Sequence, residues 1–154
     1  MPRRLLASIL ACAVAAAGVA EAATIEARDA WIRTPPPGAP TAAGYLTIVN
    51  HGIASDRLTG GATSAAKQVL PHHTSTAHGI MSMRPATGGL PVGASATLRL
   101  APNGDHLMLT GLSRPLRAGQ HVRITLQFQR AGNVPVDFTV KDDAPGGNAG
   151  RMHM

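Results

Sequence analysis

Val122-Arg123-Ile124-Thr125-Leu126-Gln127-Phe128-Gln129 alternates apolar and polar residues without a break. Successive side chains of a β-strand point to opposite faces, so this run predicts a strand with one buried face and one wet face. Ala131-Gly132-Asn133 then makes a short turn into Val134-Pro135-Val136-Asp137-Phe138-Thr139-Val140. The two runs are predicted to pair as a hairpin. Working outward, further short alternating stretches appear at 25–33, 44–50, 56–60, 66–73, 79–84, 96–100 and 106–109, separated by Gly, Pro, Asn and Asp. No amphipathic helical period competes with them after residue 22. Residues 34–40, Thr-Pro-Pro-Pro-Gly-Ala-Pro, can form neither a central strand nor a helix and are predicted to be a stiff loop. Many short strands with regular turn signals predict an all-β sandwich or Greek-key barrel in a single domain.

The N-terminal 22 residues read as a targeting segment. Arg3 and Arg4 precede an uncharged apolar run over residues 5–19, and Ala20-Glu21-Ala22 fits a small-x-small cleavage site. The expected organisation is therefore 1–22 signal peptide, 23–141 β domain and 142–154 flexible tail. The apolar run is short for a membrane span, so no stable membrane insertion is expected after cleavage. An uncleaved anchor and a lipidated Cys12, in Ile9-Leu10-Ala11-Cys12, are the alternatives.

Cys12 is the only cysteine of the 154-residue chain. Cleavage after Ala22 would leave no thiol, which excludes a disulfide framework, a zinc-thiolate site, an iron–sulfur cluster and a blue-copper centre. The net charge is +6, or about +5 without the segment to Ala22. The arginines are scattered and accompanied by no stacking set of aromatics, so nucleic acid is not an expected partner. The charge is read as solubility together with attraction to an acidic partner surface.

The chemistry lies in methionine and histidine. Met81, Met83, Met108, Met152 and Met154 all sit beside a histidine or within a few residues of one. In Asp105-His106-Leu107-Met108-Leu109, strand alternation puts Leu107 and Leu109 on the core face and His106 with Met108 on the other. Ile80-Met81-Ser82-Met83 repeats the pattern, and His72 lies on the preceding strand, with His73 facing the opposite way. Two imidazoles and two thioethers form a soft, neutral donor set. Such a set suits Cu(I), while Mg and Ca prefer oxygen. A lone His-x-Met or a Met pair in a strand is more often core packing. His51 and His121 lack a methionine neighbour, and His78 stands in a turn. Met81 is expected beside the site as an accessory group. Met152, His153 and Met154 form a second cluster that could capture copper, including Cu(II) through His153.

These residues resemble the PCuAC family of periplasmic copper chaperones, whose signature is a histidine, ten residues, a methionine, about twenty-one residues, then His-x-Met. Here His72 precedes Met83 by that interval, and His106-Leu107-Met108 follows after twenty-two residues, one more than the pattern. The stretches at 79–85, 106–112, 29–33 and 42–48 are also similar. The segment 73–78, His-Thr-Ser-Thr-Ala-His, departs from the further methionine or acidic residues often found there.

The resemblance implies a cupredoxin-like barrel with Cu(I) held near its surface by His72, Met83, His106 and Met108. It also implies a periplasmic chaperone, not an enzyme, that passes copper toward the dinuclear copper centre of cytochrome c oxidase. Its partner would be a copper-accepting oxidase subunit or another copper chaperone. A periplasmic sequestration or resistance protein without a dedicated recipient is the alternative, and a copper redox enzyme or a plain β-sandwich interaction module would be further rivals.

Overall fold

A computed structural model describes residues 24–142. Ten strands follow one another: β1 Ile25–Arg33, β2 Thr41–Asn50, β3 Asp56–Thr63, β4 Ala66–Ala77, β5 Ile80–Pro85, β6 Leu90–Val92, β7 Thr97–Leu100, β8 His106–Leu112, β9 His121–Phe128 and β10 Gly132–Lys141. Seven of them, in the spatial order β4-β8-β2-β1-β10-β9-β3, close into a barrel because β3 also pairs with β4. The remaining three add to its edges: β5 to β4, β6 to β3 and β7 to β2. The result is an all-β, cupredoxin-like barrel. Every pairing is antiparallel except β1 with β10.

The β9–β10 hairpin forms as its alternation requires, with Phe138 opposite Val122 and Val136 opposite Ile124. Val122, Ile124, Leu126 and Phe128 all point inward and are buried. They meet Ile32, Leu46, Ile48, Val69, Leu107, Leu109 and Phe138 in one core. Burial of apolar side chains at roughly 1.5–3 kcal/mol each is the main stabilising force here.

Four strands run three or more residues further at one end than alternation alone suggests. β2 starts at Thr41, β3 continues to Thr63, β4 continues to Ala77 and β8 continues to Leu112. Apart from the buried Ala42, their added residues are partly or fully exposed, so apolar alternation does not mark them, but backbone pairing with neighbours carries the strands on. Leu90–Val92, which reads as loop in the sequence, is a three-residue strand on β3 with Leu90 and Val92 buried. His78 and Gly79 close the β4–β5 hairpin with φ values of 52° and 76°. Two positive φ values in a two-residue loop are the signature of a type I′ turn, which matches the twist of the flanking strands.

One irregularity positions the site. In β1, Arg28 faces Thr47 but Trp31 faces Tyr45, so three steps on β1 match two on β2. Asp29 has φ 52°, the left-handed conformation that a short polar side chain tolerates. This bulge reverses the phase of the strand. Ile25 points inward before it and Ile32 after it, which turns Trp31 to the outer face beside Tyr45.

Candidate metal centre

The outer face of β5, β4 and β8 carries the candidate ligands. His72 of β4 is directly opposite His106 of β8, and Leu70 is opposite Met108. Thr74 of β4 is opposite Met83 of β5, and Met108 is also opposite Ala43 of β2. Directly opposed residues project to the same side of a sheet. His72, Met83, His106 and Met108 therefore share one face, and Leu107 and Leu109 point the other way into the core. Met83, His106 and Met108 line one groove of about 210 Å³ together with Thr74, Tyr45 and Asn103. His72 stacks on His106, with ring centroids 5.7 Å apart and planes 25° apart.

The two imidazoles are oriented in the same way. His72 Nδ1 lies 3.2 Å from the Leu70 carbonyl oxygen, and His106 Nδ1 lies 3.2 Å from the Gly104 carbonyl oxygen. A carbonyl only accepts, so in the neutral ring Nδ1 carries the proton and Nε2 keeps its lone pair. Thr74 Oγ1, 3.4 Å from His106 Nδ1, adds to the hold on that ring. The Nε2 of His106 is buried and has no hydrogen-bond partner among the described residues. Buried polar atoms are nearly always satisfied, so an orphan of this kind calls for an explanation. A neutral imidazole with its second nitrogen tied to a carbonyl is the form in which histidine ligates a metal.

Although it lies outside the core, His106 is only 3% exposed. Sequence alternation predicts its face but not its cover, which comes from Tyr45, His72 and the loop at 34–36. Burial lowers its pKa below the ordinary histidine value; the Gly104 carbonyl opposes this shift, and the neighbouring His72 adds to it. His72 and Met108 are half-buried, whereas Met83 is 52% exposed. The arrangement is graded, from a buried imidazole anchor to a thioether at the surface.

Other candidates fall elsewhere. Met81 shares the face of Met83 on β5 but is 48% exposed and sits two pairs nearer the hairpin tip, opposite Thr76. His73 turns away and meets the Asp105 carboxylate at 3.0 Å. His78 is exposed in the turn. His51 is bonded to Glu26 at 2.6 Å, and the hydrogen bonds from Arg28 and His51 hold the Glu26 pKa at about 2. His121 is exposed at the start of β9. Met152, His153 and Met154, the segment 1–22 and Cys12 lie outside the described residues. Among the described residues, no three His, Cys, Asp or Glu side chains group as a metal site, so any site here depends on sulfur from methionine.

Two residues that motif reading left without a role are part of the setting. Tyr45 has its ring centroid 6.4 Å from that of His106, and Trp31 lies 4.8 Å beyond it. Both are buried, yet neither belongs to the main core. Tyr45 lines the groove, Trp31 packs behind it, and Arg33 caps Trp31 at 5.8 Å. The αL-tolerant Asp29 two residues before Trp31 is the available sequence signal for the phase reversal that puts them there.

The sequence pattern of the LpqE-like family, described as "Putative lipoprotein LpqE-like", matches residues 25–140. A protein of Leifsonia xyli subsp. xyli (strain CTCB07), "Putative lipoprotein Lxx21020", is 36% identical over 118 residues, covering 77% of this chain and 70% of the relative. Among solved structures, the copper-bound PCuAC domain from PmoF2 is 26% identical with a TM-score of 0.65, over 79% of this chain and 94% of that one. CuI-DR1885 from Deinococcus radiodurans is 34% identical with a TM-score of 0.60, over 78% of this chain and 79% of that one.

Proposed function

The chain belongs to the LpqE-like family, and on that premise we propose that it is an exported Cu(I) carrier. Its cargo is held by His72, Met83, His106 and Met108. The observation that carries the reading is the buried, partnerless Nε2 of His106, fixed as a lone-pair donor and stacked against His72, on the face that also bears the two thioethers. Neutral N and S donors suit a soft monovalent ion. The likeness to domains whose structures contain copper supports the same cargo.

The gradation of burial suggests how the ion would move. An incoming ligand from a partner reaches the Met83 side first, because that thioether is half-exposed. His106 would let go last. This ordering favours exchange with a recipient over long-term sequestration. The dinuclear copper centre of cytochrome c oxidase is the recipient we propose, in keeping with the PCuAC resemblance. The role is that of a carrier and not an enzyme, in the periplasm or at a membrane surface.

The place of attachment has two readings. Cleavage after Ala22 gives a thiol-free periplasmic protein. The lipoprotein description of the family and of the Leifsonia relative favours a mature chain that begins at a lipidated Cys12. The intact mass of the protein recovered from its host separates them.

Anaerobic titration of Cu(I) against a chromophoric chelator, followed by X-ray absorption, tests the site. One ion per chain with two sulfur and two nitrogen neighbours is expected. Unchanged affinity in a His72→Ala, His106→Ala double variant would mean that the ligands have been misassigned.

A further inference from the structure

A second and larger groove adjoins the first. It has a volume of about 800 Å³ and runs between residues 34–40 and residues 112–118. Four prolines of the first wall and Pro115 of the second fix its shape, since proline locks φ near −65° and a preformed site loses little freedom on binding. Its apolar lining includes Leu112 and Leu116, the latter 3% exposed.

The charge around it is one-sided. Arg114 and Arg117 line the groove, and among the described residues no aspartate or glutamate does. Two other arginines are paired with carboxylates, Arg28 with Glu26 at 2.6 Å and Arg123 with Asp137 at 2.8 Å. Among the described residues, Arg114 and Arg117 enter no ion pair. Thr34, Pro35 and Pro36 line this groove and the His106 groove alike. The Thr34 hydroxyl, at that junction, is buried without a hydrogen-bond partner among the described residues.

From this geometry, and resting on the carrier reading above, we propose that the groove docks an acidic, extended segment of the protein that exchanges copper with this one. Carboxylates of the segment meet Arg114 and Arg117, and its apolar side chains lie on Leu112 and the exposed prolines Pro36, Pro37 and Pro115. A segment seated there ends beside Met83 and Met108, so docking and ligand exchange occur on contiguous surfaces. Opposite charge raises the rate of encounter and fixes the register of the partner. A concave cleft between two loops suits a peptide better than the broad convex basic face that anionic lipid recruits.

The test uses the full mature chain and a fluorescein-labelled octapeptide alternating Glu with Leu and Pro, with a Lys-for-Glu peptide as control. Fluorescence anisotropy should show saturable binding of the acidic peptide only. Arg114→Glu with Arg117→Glu should weaken it at least tenfold, and the milder Arg114→Gln with Arg117→Gln pair at least threefold, with Cu(I) affinity unchanged in both. Amide shifts induced by the peptide should map to 34–40 and 112–118. Binding that ignores these substitutions, or no binding at 1 mM peptide, overturns docking at this groove while leaving the copper reading intact. Loss of Cu(I) binding by the wild-type chain instead overturns the carrier reading, whatever the peptide does. If truncation after Asp142 shifts the groove resonances without peptide, the chain's own C-terminal segment is the occupant. If anionic phosphatidylglycerol vesicles bind with the same arginine dependence, a membrane is the occupant. Either result overturns the proposal.

Discussion

His106→Leu is expected to strengthen the copper-free fold, or leave it unchanged, while destroying its function. The imidazole is 3% exposed and its Nε2 has no partner. Leaving such an atom unpaired costs about 1–3 kcal/mol, whereas the Nδ1 bond to Gly104 returns only about 0.5–1.5 kcal/mol. Leucine is close to histidine in volume, so the cavity contribution is small. The balance favours the variant by roughly 0–2 kcal/mol. For a domain of this size, that corresponds to a Tm unchanged or raised by up to about 8 °C. Wild-type protein should gain stability from bound Cu(I), by about 4 kcal/mol when the free ion is a thousandfold above Kd. The variant should gain almost nothing. Thermal melts under anaerobic conditions, with chelator or with Cu(I), measure both effects. A copper-free variant that melts more than about 4 °C below wild type would show that the imidazole is a satisfied structural group, and the reasoning from its orphan nitrogen would fail.

Three further outcomes are expected. Because burial lowers the His106 pKa, the unfolded chain binds this proton more readily than the folded one, so stability rises with pH. Urea midpoints of copper-free protein should therefore fall as pH drops below about 6.5 toward the lowered value, and His106→Leu should flatten that slope. An identical slope in the variant would assign the effect to another group. Met83→Leu should change copper-free stability by less than about 0.5 kcal/mol, because Met83 is 52% exposed, yet remove one sulfur from the X-ray absorption shell. Gly88→Ala and Gly89→Ala both place a side chain at φ near +87°, costing roughly 1–2 kcal/mol. At Gly89 the new Cβ would also stand 2.6 Å from the Leu58 carbonyl oxygen, so its urea midpoint should fall well below that of Gly88→Ala, where nothing lies within 4 Å. Equal midpoints would mean that the backbone yields there.

Strand alternation fixed a good part of this protein in advance. It is a local property of the extended backbone, in which neighbouring side chains point to opposite faces. It therefore gave the β9–β10 hairpin, the inward Leu107 and Leu109, and the shared face of His106 and Met108 without any knowledge of neighbours. The methionine and histidine content likewise indicated soft-metal chemistry. Which strands meet is a different kind of fact. Closure of β3 on β4, the parallel β1–β10 contact and the opposition of His72 to His106 join distant parts of the chain, and their stability comes from one core shared by all of them. Only that assembly decided that His106 is covered, that Met83 stands at the surface, and that a bulge at Asp29 turns Trp31 out toward Tyr45. Burial depends on what arrives from elsewhere in the chain, and the residues around His106 in sequence do not specify it.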